Sequence, residues 1–204
     1  MLFENCKLKT MKKSLVLILF LFISITSCKK IIDSAASIGK DDIKKEDLKS
    51  ISVNKDYTIS VPDYMTELKS LNEDASFQYA NIYKDVYTIV IDEDKQEFIK
   101  AFEDIGIYND SLSIVSNYSD YQVKSLQEAI NAKEVKELEF KIKNLPSLQY
   151  ELNGKIEGID ASYLIGFVEG KDKMYMIMSW TVDNRYKKYK NTFKLIQSSF
   201  KLIK

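Results

Sequence analysis

Apolar positions recur along the chain at two periods, and the switches between them set its elements. Leu15 to Ile25 is apolar except for Ser24, about half of the roughly 20 residues a helix needs to cross a bilayer. Tyr57, Ile59 and Val61 then alternate with polar neighbours up to Pro62, which predicts a strand with a marked end. Phe77 to Tyr83 and Val86 to Ile91 read as two more strands, with Lys84-Asp85 as a tight turn between them. From Lys95 the period becomes helical, placing Phe98, Ile99, Phe102 and Ile105 on one stripe, with Gly106 as the stop. A second helix takes Tyr118, Tyr121, Leu126, Ala129 and Ile130; Leu112, Ile114 and Val115 before it fit a strand, a helix extension or a packed loop alike. Strict alternation returns from Glu137 to Lys143 and again through Leu148, Tyr150 and Leu152, with Asn153-Gly154 as the expected hairpin turn. Ser162 to Val168 is apolar on both faces and reads as a central strand; Gly170 to Asp172 turns the chain into Met174 to Val182. The final helix, Arg185 to Phe200, carries Tyr186, Tyr189, Phe193, Ile196 and Phe200 on one stripe. It is expected to cover the Met174, Met176, Met178, Trp180 face of the preceding strand. This order predicts an α+β domain with a largely antiparallel sheet packed against helices, without a repeat or a second domain.

The N-terminal apolar run is flanked in a way that assigns it a task. Lys12 and Lys13 precede it and Ile25-Thr26-Ser27 leads to Cys28, so 1–27 reads as a signal peptide, with Met11 as the expected start. Ile25-Thr26-Ser27-Cys28 resembles the lipobox of bacterial lipoproteins, which implies that Cys28 becomes the mature N-terminus and carries acyl chains, palmitate among them. Two or more chains anchor a protein stably, one only marginally. An ordinary cleaved signal peptide is the other reading of the same pattern. Lys29 and Lys30 place no acidic residue after the cysteine, which favours the outer membrane, facing the periplasm. Residues 28–50, with mixed charge and little apolar periodicity, read as the lipidated cysteine and a tether, in which Asp41 to Lys49 has the composition of a short helix. The folded domain is expected over 51–204.

Composition narrows the chemistry. The 30 basic and 30 acidic residues include Lys7, Lys9, Lys12, Lys13 and Glu4 upstream of Cys28, so the mature chain keeps 26 and 29, a net charge of −3. Such a chain lacks the basic excess that displaces counterions from nucleic acid, so no nucleic-acid partner is expected. There is no histidine, and the two cysteines are Cys6 and Cys28. The mature chain therefore has no His/Cys metal set, no Ser-His-Asp triad, no Cys-His pair and no internal disulfide. No cofactor or metal is expected.

Three stretches carry a family resemblance: Tyr57-Thr58-Ile59-Ser60-Val61-Pro62, the Gly158-Ile159-Asp160-Ala161 step before a strand, and the closing Phe193, Ile196, Ser199-Phe200-Lys201. They resemble PsbP-like domains, the group of PsbP, Mog and DcrB-type proteins. The resemblance covers about residues 51 to 204 and implies an α/β/α sandwich and an accessory or binding role. Its motifs are packing positions, so no functional residue transfers with it.

The candidate sites are few. Asp92-Glu93-Asp94 with Glu97 offers oxygen ligands to a cation but without the spacing or glycine of a calcium loop, and reads first as a solvated strand end. Lys187, Lys188, Lys190 and Lys194 form a basic helix face, suited to solvent or to anionic headgroups. Tyrosine is abundant at 13 residues, and Tyr83, Tyr87, Tyr108, Tyr118 and Tyr121 cluster in sequence around the first hairpin and the middle helices. Tyrosine supplies rigid, amphipathic contact area, so these five form the candidate partner-binding surface, with half-buried packing as the competing role. The expected function is a membrane-anchored, non-catalytic accessory lipoprotein that binds another cell-envelope protein. A carrier or sensor of a small apolar or lipid ligand is the alternative. A carboxylate hydrolase using residues such as Asp110 or Asp120 ranks last, because nothing in the acid spacing selects a pair.

Overall fold

The computed structural model describes residues 41–203; Cys28, the signal peptide and most of the tether lie outside the described residues. Folded chain starts earlier than expected. Lys45–Asp47 forms one turn of 3-10 helix, and β1 (Leu48–Val53) already pairs with β2 (Tyr57–Pro62) from Leu48 onward. The β1–β2 turn places Asn54 and Lys55 at positive φ, a conformation that asparagine tolerates better than most residues. At the far end of the chain β10 (Lys201–Leu202) adds to the other edge of β2. The Ser199 hydroxyl accepts the Ser60 amide at 2.7 Å, so two of the three stretches that carried the family resemblance meet.

The main sheet has seven antiparallel strands. They are β3 (Thr66–Glu67), β4 (Ala75–Asn81), β5 (Val86–Asp94), β6 (Glu134–Leu138), β7 (Ser147–Ile156), β8 (Ile159–Glu169) and β9 (Lys173–Val182), arranged β3-β4-β5-β9-β8-β7-β6. Strands β8 and β9 are interior and buried nearly throughout, as the two-sided apolar run of β8 requires. Three helices complete the domain: α1 (Lys95–Asp104), α2 (Ile114–Ala129) and α3 (Asp183–Ser198). Asp94 caps α1 by accepting the Gln96 and Glu97 amides, and Ser113 caps α2 by accepting that of Ser116. This capping resolves Ile114 and Val115 into α2 and leaves Leu112 in the loop before it.

The two faces of the sheet divide the core. Val86, Val90, Leu164, Val168, Tyr175 and Ile177 pack with Ile59 and Val61 of the small sheet and with Tyr189, Phe193 and Ile196 of α3. Side chains alternate along a strand, so Met174, Met176, Met178 and Trp180 point to the opposite face, where α1 packs on β5 and β9 and α2 on β7 and β8. The expectation that α3 covers the Met/Trp face is thus inverted. Phe193 is fully buried, whereas Trp180 is half-buried and stacks on Tyr87 at 5.2 Å and on Tyr163 at 6.3 Å. The physical reason is buried polarity: the Tyr175, Ile177, Ser179, Thr181 face looked less apolar, but Gln197 of α3 donates to the Leu164 and Ile177 carbonyls at 2.8 and 3.1 Å and satisfies groups under the helix. Layers therefore run α1 and α2, seven-stranded sheet, then α3 with the three-stranded sheet, an α+β sandwich.

Two further expectations shift. Asn153-Gly154 lies inside β7, and the β7–β8 turn is Glu157-Gly158, both at positive φ. Gly154 serves a close approach instead, since a Cβ there would sit 2.4 Å from the Ile130 carbonyl oxygen, which accepts the Lys155 amide. The strand expected over Glu137 to Lys143 pairs only from Glu134 to Leu138; beyond it Ile142 makes a single bridge to Leu145. Its apolar alternation persists, because Leu138 and Phe140 still pack on the core without a ladder.

Candidate functional site

The five candidate tyrosines do not form one surface. Tyr118 is fully buried, edge-on to Phe98 at 5.1 Å and to Phe167 at 5.7 Å, so it cannot meet a partner. Its hydroxyl faces Glu93 and Gln122 without a hydrogen bond of good geometry. Tyr87 belongs to the half-buried stack with Trp180, and Tyr121 is half-buried against Phe102 at 4.9 Å. Tyr83 is 88% exposed at the tip of the β4–β5 hairpin, while Tyr108 is half-buried in the loop between α1 and α2.

Those last two lie at opposite ends of the sheet. The hairpin tip precedes Val86, in the same end row as Tyr87, Trp180, Tyr163 and Leu152, which are cross-strand partners in that order. Helix α2 ends there too, where Ile130 meets Gly154. Its other end begins beside the α1–α2 loop, and Tyr118, five residues past the Ser113 cap, packs on Phe167 near the opposite strand termini. From Val86 to Asp94 a strand rises about 30 Å, so Tyr83 and Tyr108 are separated by nearly the length of the domain.

The loop end is apolar and ordered. Ile105, Ile107 and Leu112 are exposed by 41, 45 and 41%. The helical stripe suggested a buried Ile105, but α1 stops at Asp104, with Gly106 at positive φ, and the chain turns outward. The Ile107 and Tyr108 amides both donate to the Phe102 carbonyl, at 3.0 and 3.3 Å. Asn117, buried in α2, accepts the Asn109 amide at 2.8 Å and donates to the Asn109 and Ser113 carbonyls at 3.0 and 3.1 Å. Asn109 in turn accepts the Ser111 amide at 3.0 Å. Sequence reasoning missed these aliphatic residues and the Asn109–Asn117 pair; the Asn-Asp-Ser turn chemistry was the one signal available. Burial pushes the Tyr108 hydroxyl upward in pKa, with Asp110, Glu103 and Glu169 adding to it, so it stays a neutral donor.

The hairpin end is where the described chain begins. The Asp41 carboxylate accepts the Tyr64 hydroxyl at 2.6 Å and that of Thr192 at 2.8 Å, and the Asp41 amide donates to the Lys188 carbonyl at 3.1 Å. Asn81, the last residue of β4, donates to the Tyr64 carbonyl at 2.8 Å, and the Lys84 ammonium sits 4.7 Å from the Tyr64 ring centre. Arg185 pairs with Asp85 at 2.8 Å and donates to the Tyr83 carbonyl at 3.4 Å. Ile82 and Tyr83 project from this frame, Ile82 at 57% exposure.

The acidic candidates are each engaged separately. Asp94 caps α1, Asp92 pairs with Lys173 at 2.6 Å, and Glu93 lies on the other face beneath α2. Burial raises the Glu93 pKa; contact with Tyr118 opposes this, and Asp74 and Asp92 add to it. Among the described residues no group of three or more acids has the arrangement of a metal site. Asp110 and Asp120 are both exposed, on the loop and on the outer side of α2. A cleft of about 230 Å³ at the start of α3 is lined by Glu134, Lys136, Glu151, Asn153, Ser162 and Asp183 among others. Two of its three acids are occupied: Ser162 donates to Asp183 at 2.5 Å, and Tyr186 and Lys190 both hold Glu151, while Glu134 is exposed on the edge strand β6. Of the basic face, Lys190 is thus an internal partner, and Lys188 lies over the Tyr189 ring.

The structure defines an α+β protein whose largely antiparallel sheet is covered by helices on both faces. No protein-family model matches the sequence, and no curated protein matches it. Among solved structures it is similar to the cyanobacterial PsbP (CyanoP) of Synechocystis sp. PCC 6803, with 12% identity over 84% of this chain and 98% of that one and a TM-score of 0.46. It is also similar to LpqN of Mycobacterium tuberculosis, described as involved in cell envelope biogenesis, with 8% identity, 72% and 83% coverage and a TM-score of 0.46. A protein of unknown function from Pseudomonas aeruginosa, PA94, is similar at 12% identity, with 74% and 94% coverage and a TM-score of 0.41. No helix among the described residues is long and apolar enough to cross a membrane.

Proposed function

We propose that this chain is a non-catalytic accessory protein of the bacterial cell envelope, tethered through lipid on Cys28 to the outer membrane and facing the periplasm. It presents the α1–α2 loop to another envelope protein. The observation that carries this reading is the loop itself: three exposed aliphatic side chains on a backbone fixed by the Asn109–Asn117 hydrogen bonds. Apolar side chains displayed on an ordered backbone lose little conformational freedom on binding, which is what a docking surface needs. The half-buried Tyr108 beside them supplies aromatic area and a hydroxyl donor.

A photo-crosslinking residue at Ile107, with one at Lys155 as control, tests the reading in the native cell. Capture of one envelope protein from position 107 and not from 155, followed by reconstitution of that complex from purified proteins, is the expected result. Equal capture from both positions would overturn it.

A further inference from the structure

The opposite end of the domain has exposed apolar side chains as well, and it is the end the chain reaches first. We infer that the β4–β5 hairpin tip, Ile82 and Tyr83, rests in the interfacial layer of the bilayer to which the lipid anchor leads; this rests on the anchored reading above. Twelve residues separate Cys28 from Asp41, a reach of at most about 45 Å. Asp41 is fixed against Tyr64 and Thr192, and Tyr64 is fixed in turn against Asn81 and Lys84 of the hairpin. The tether therefore ends beside the tip and draws that end of the domain toward the membrane, leaving the α1–α2 loop about 30 Å farther out.

The tip has the chemistry of the interface. An aliphatic and a tyrosine project together, and tyrosine is enriched at the level of the headgroups, where its ring is apolar and its hydroxyl wet. Lys84 and Arg185 flank the pair. Cations at this position meet phosphate groups. The tip is held rigid from behind: Asn81 accepts the Lys84 amide at 2.9 Å through its side chain, and Arg185 is tied to both Asp85 and the Tyr83 carbonyl. A tip that tucked onto its own domain would not need its backbone fixed in the outward conformation.

Depth measurement on the intact acylated protein tests this. With Cys28 acylated the mature chain has no other cysteine, so Tyr83→Cys and Asp110→Cys each accept one environment-sensitive fluorophore. In vesicles of phosphatidylethanolamine and phosphatidylglycerol carrying nitroxide-labelled lipid, the label at position 83 should emit at shorter wavelength and be quenched severalfold more than the label at 110. Equal quenching of both labels on a protein that stays with the vesicles would overturn the membrane contact and leave the anchored reading intact. A blue-shifted label at 83 that lipid nitroxide does not quench would show that protein covers the tip, and would overturn it too. Acylated protein that fails to sediment with vesicles would overturn the anchored reading, and this inference with it.

Discussion

Gly154 joins helix and sheet through the absence of a methyl group. The Ile130 carbonyl passes so close that a Cβ would lie 2.4 Å from its oxygen, and the same carbonyl accepts the Lys155 amide. Gly154→Ala should cost about 1 to 3 kcal/mol by overpacking against backbone that has nowhere to move. Gly158→Ala meets open space and should cost only the left-handed backbone term, about 1 to 2 kcal/mol. Urea denaturation separates them, and the variants should also differ in the exchange rate of the Lys155 amide. Glu93 gives a pH test. Its pKa is raised by burial from the ordinary 4.5, so the stability it contributes is complete below that value and is lost as pH rises through the folded value. Glu93→Gln should therefore gain on the wild type as pH rises across that window, and parallel stability curves would contradict it. The glycine at 154 was visible in the sequence, but its purpose was not, because Asn-Gly is equally at home in a turn and the approach of Ile130 is a tertiary fact.

Element by element, periodicity located β2, β4, β5, α1, α2, β7, β8, β9 and α3, since each buries one face or both and the apolar spacing records it. What spacing does not record is which layer a face meets. Strand β9 is buried on both sides, and the choice was settled by Gln197 reaching the Leu164 and Ile177 carbonyls, a polar group that hydrophobic reasoning passes over. The same limit applies to β6, whose alternation runs on past Leu138 where pairing has ceased. The corrected arrangement ranks two truncations. Phe193→Ala removes a fully buried ring from between α3 and the sheet and should cost about 3 to 5 kcal/mol. Trp180→Ala, half-buried in its stack with Tyr87 and Tyr163, should cost clearly less. Chemical denaturation giving the reverse order would return α3 to the Met/Trp face.

At the scale of the whole molecule, the domain has two exposed apolar ends with a packed body between them. The described residues begin at one, where Asp41 is fastened beside the Ile82–Tyr83 tip, and the Asn109–Asn117 pair displays the α1–α2 loop at the other. The sequence showed tyrosines near both but could not show that the length of the main sheet's strands separates them, nor that Ile105, Ile107 and Leu112 would be outside. This order suits the proposed anchored protein that works by contact, with its attachment behind and its contact surface ahead. The claim that the loop is that surface is tested most directly by affinity: the Kd of the partner captured at position 107 for the wild-type domain and for Ile107→Ser/Leu112→Ser, with the fold checked by circular dichroism. If apolar anchors carry the binding, the double variant should lose at least about 2 kcal/mol, roughly thirtyfold in Kd. A folded double variant that binds as tightly as the wild type would contradict the account.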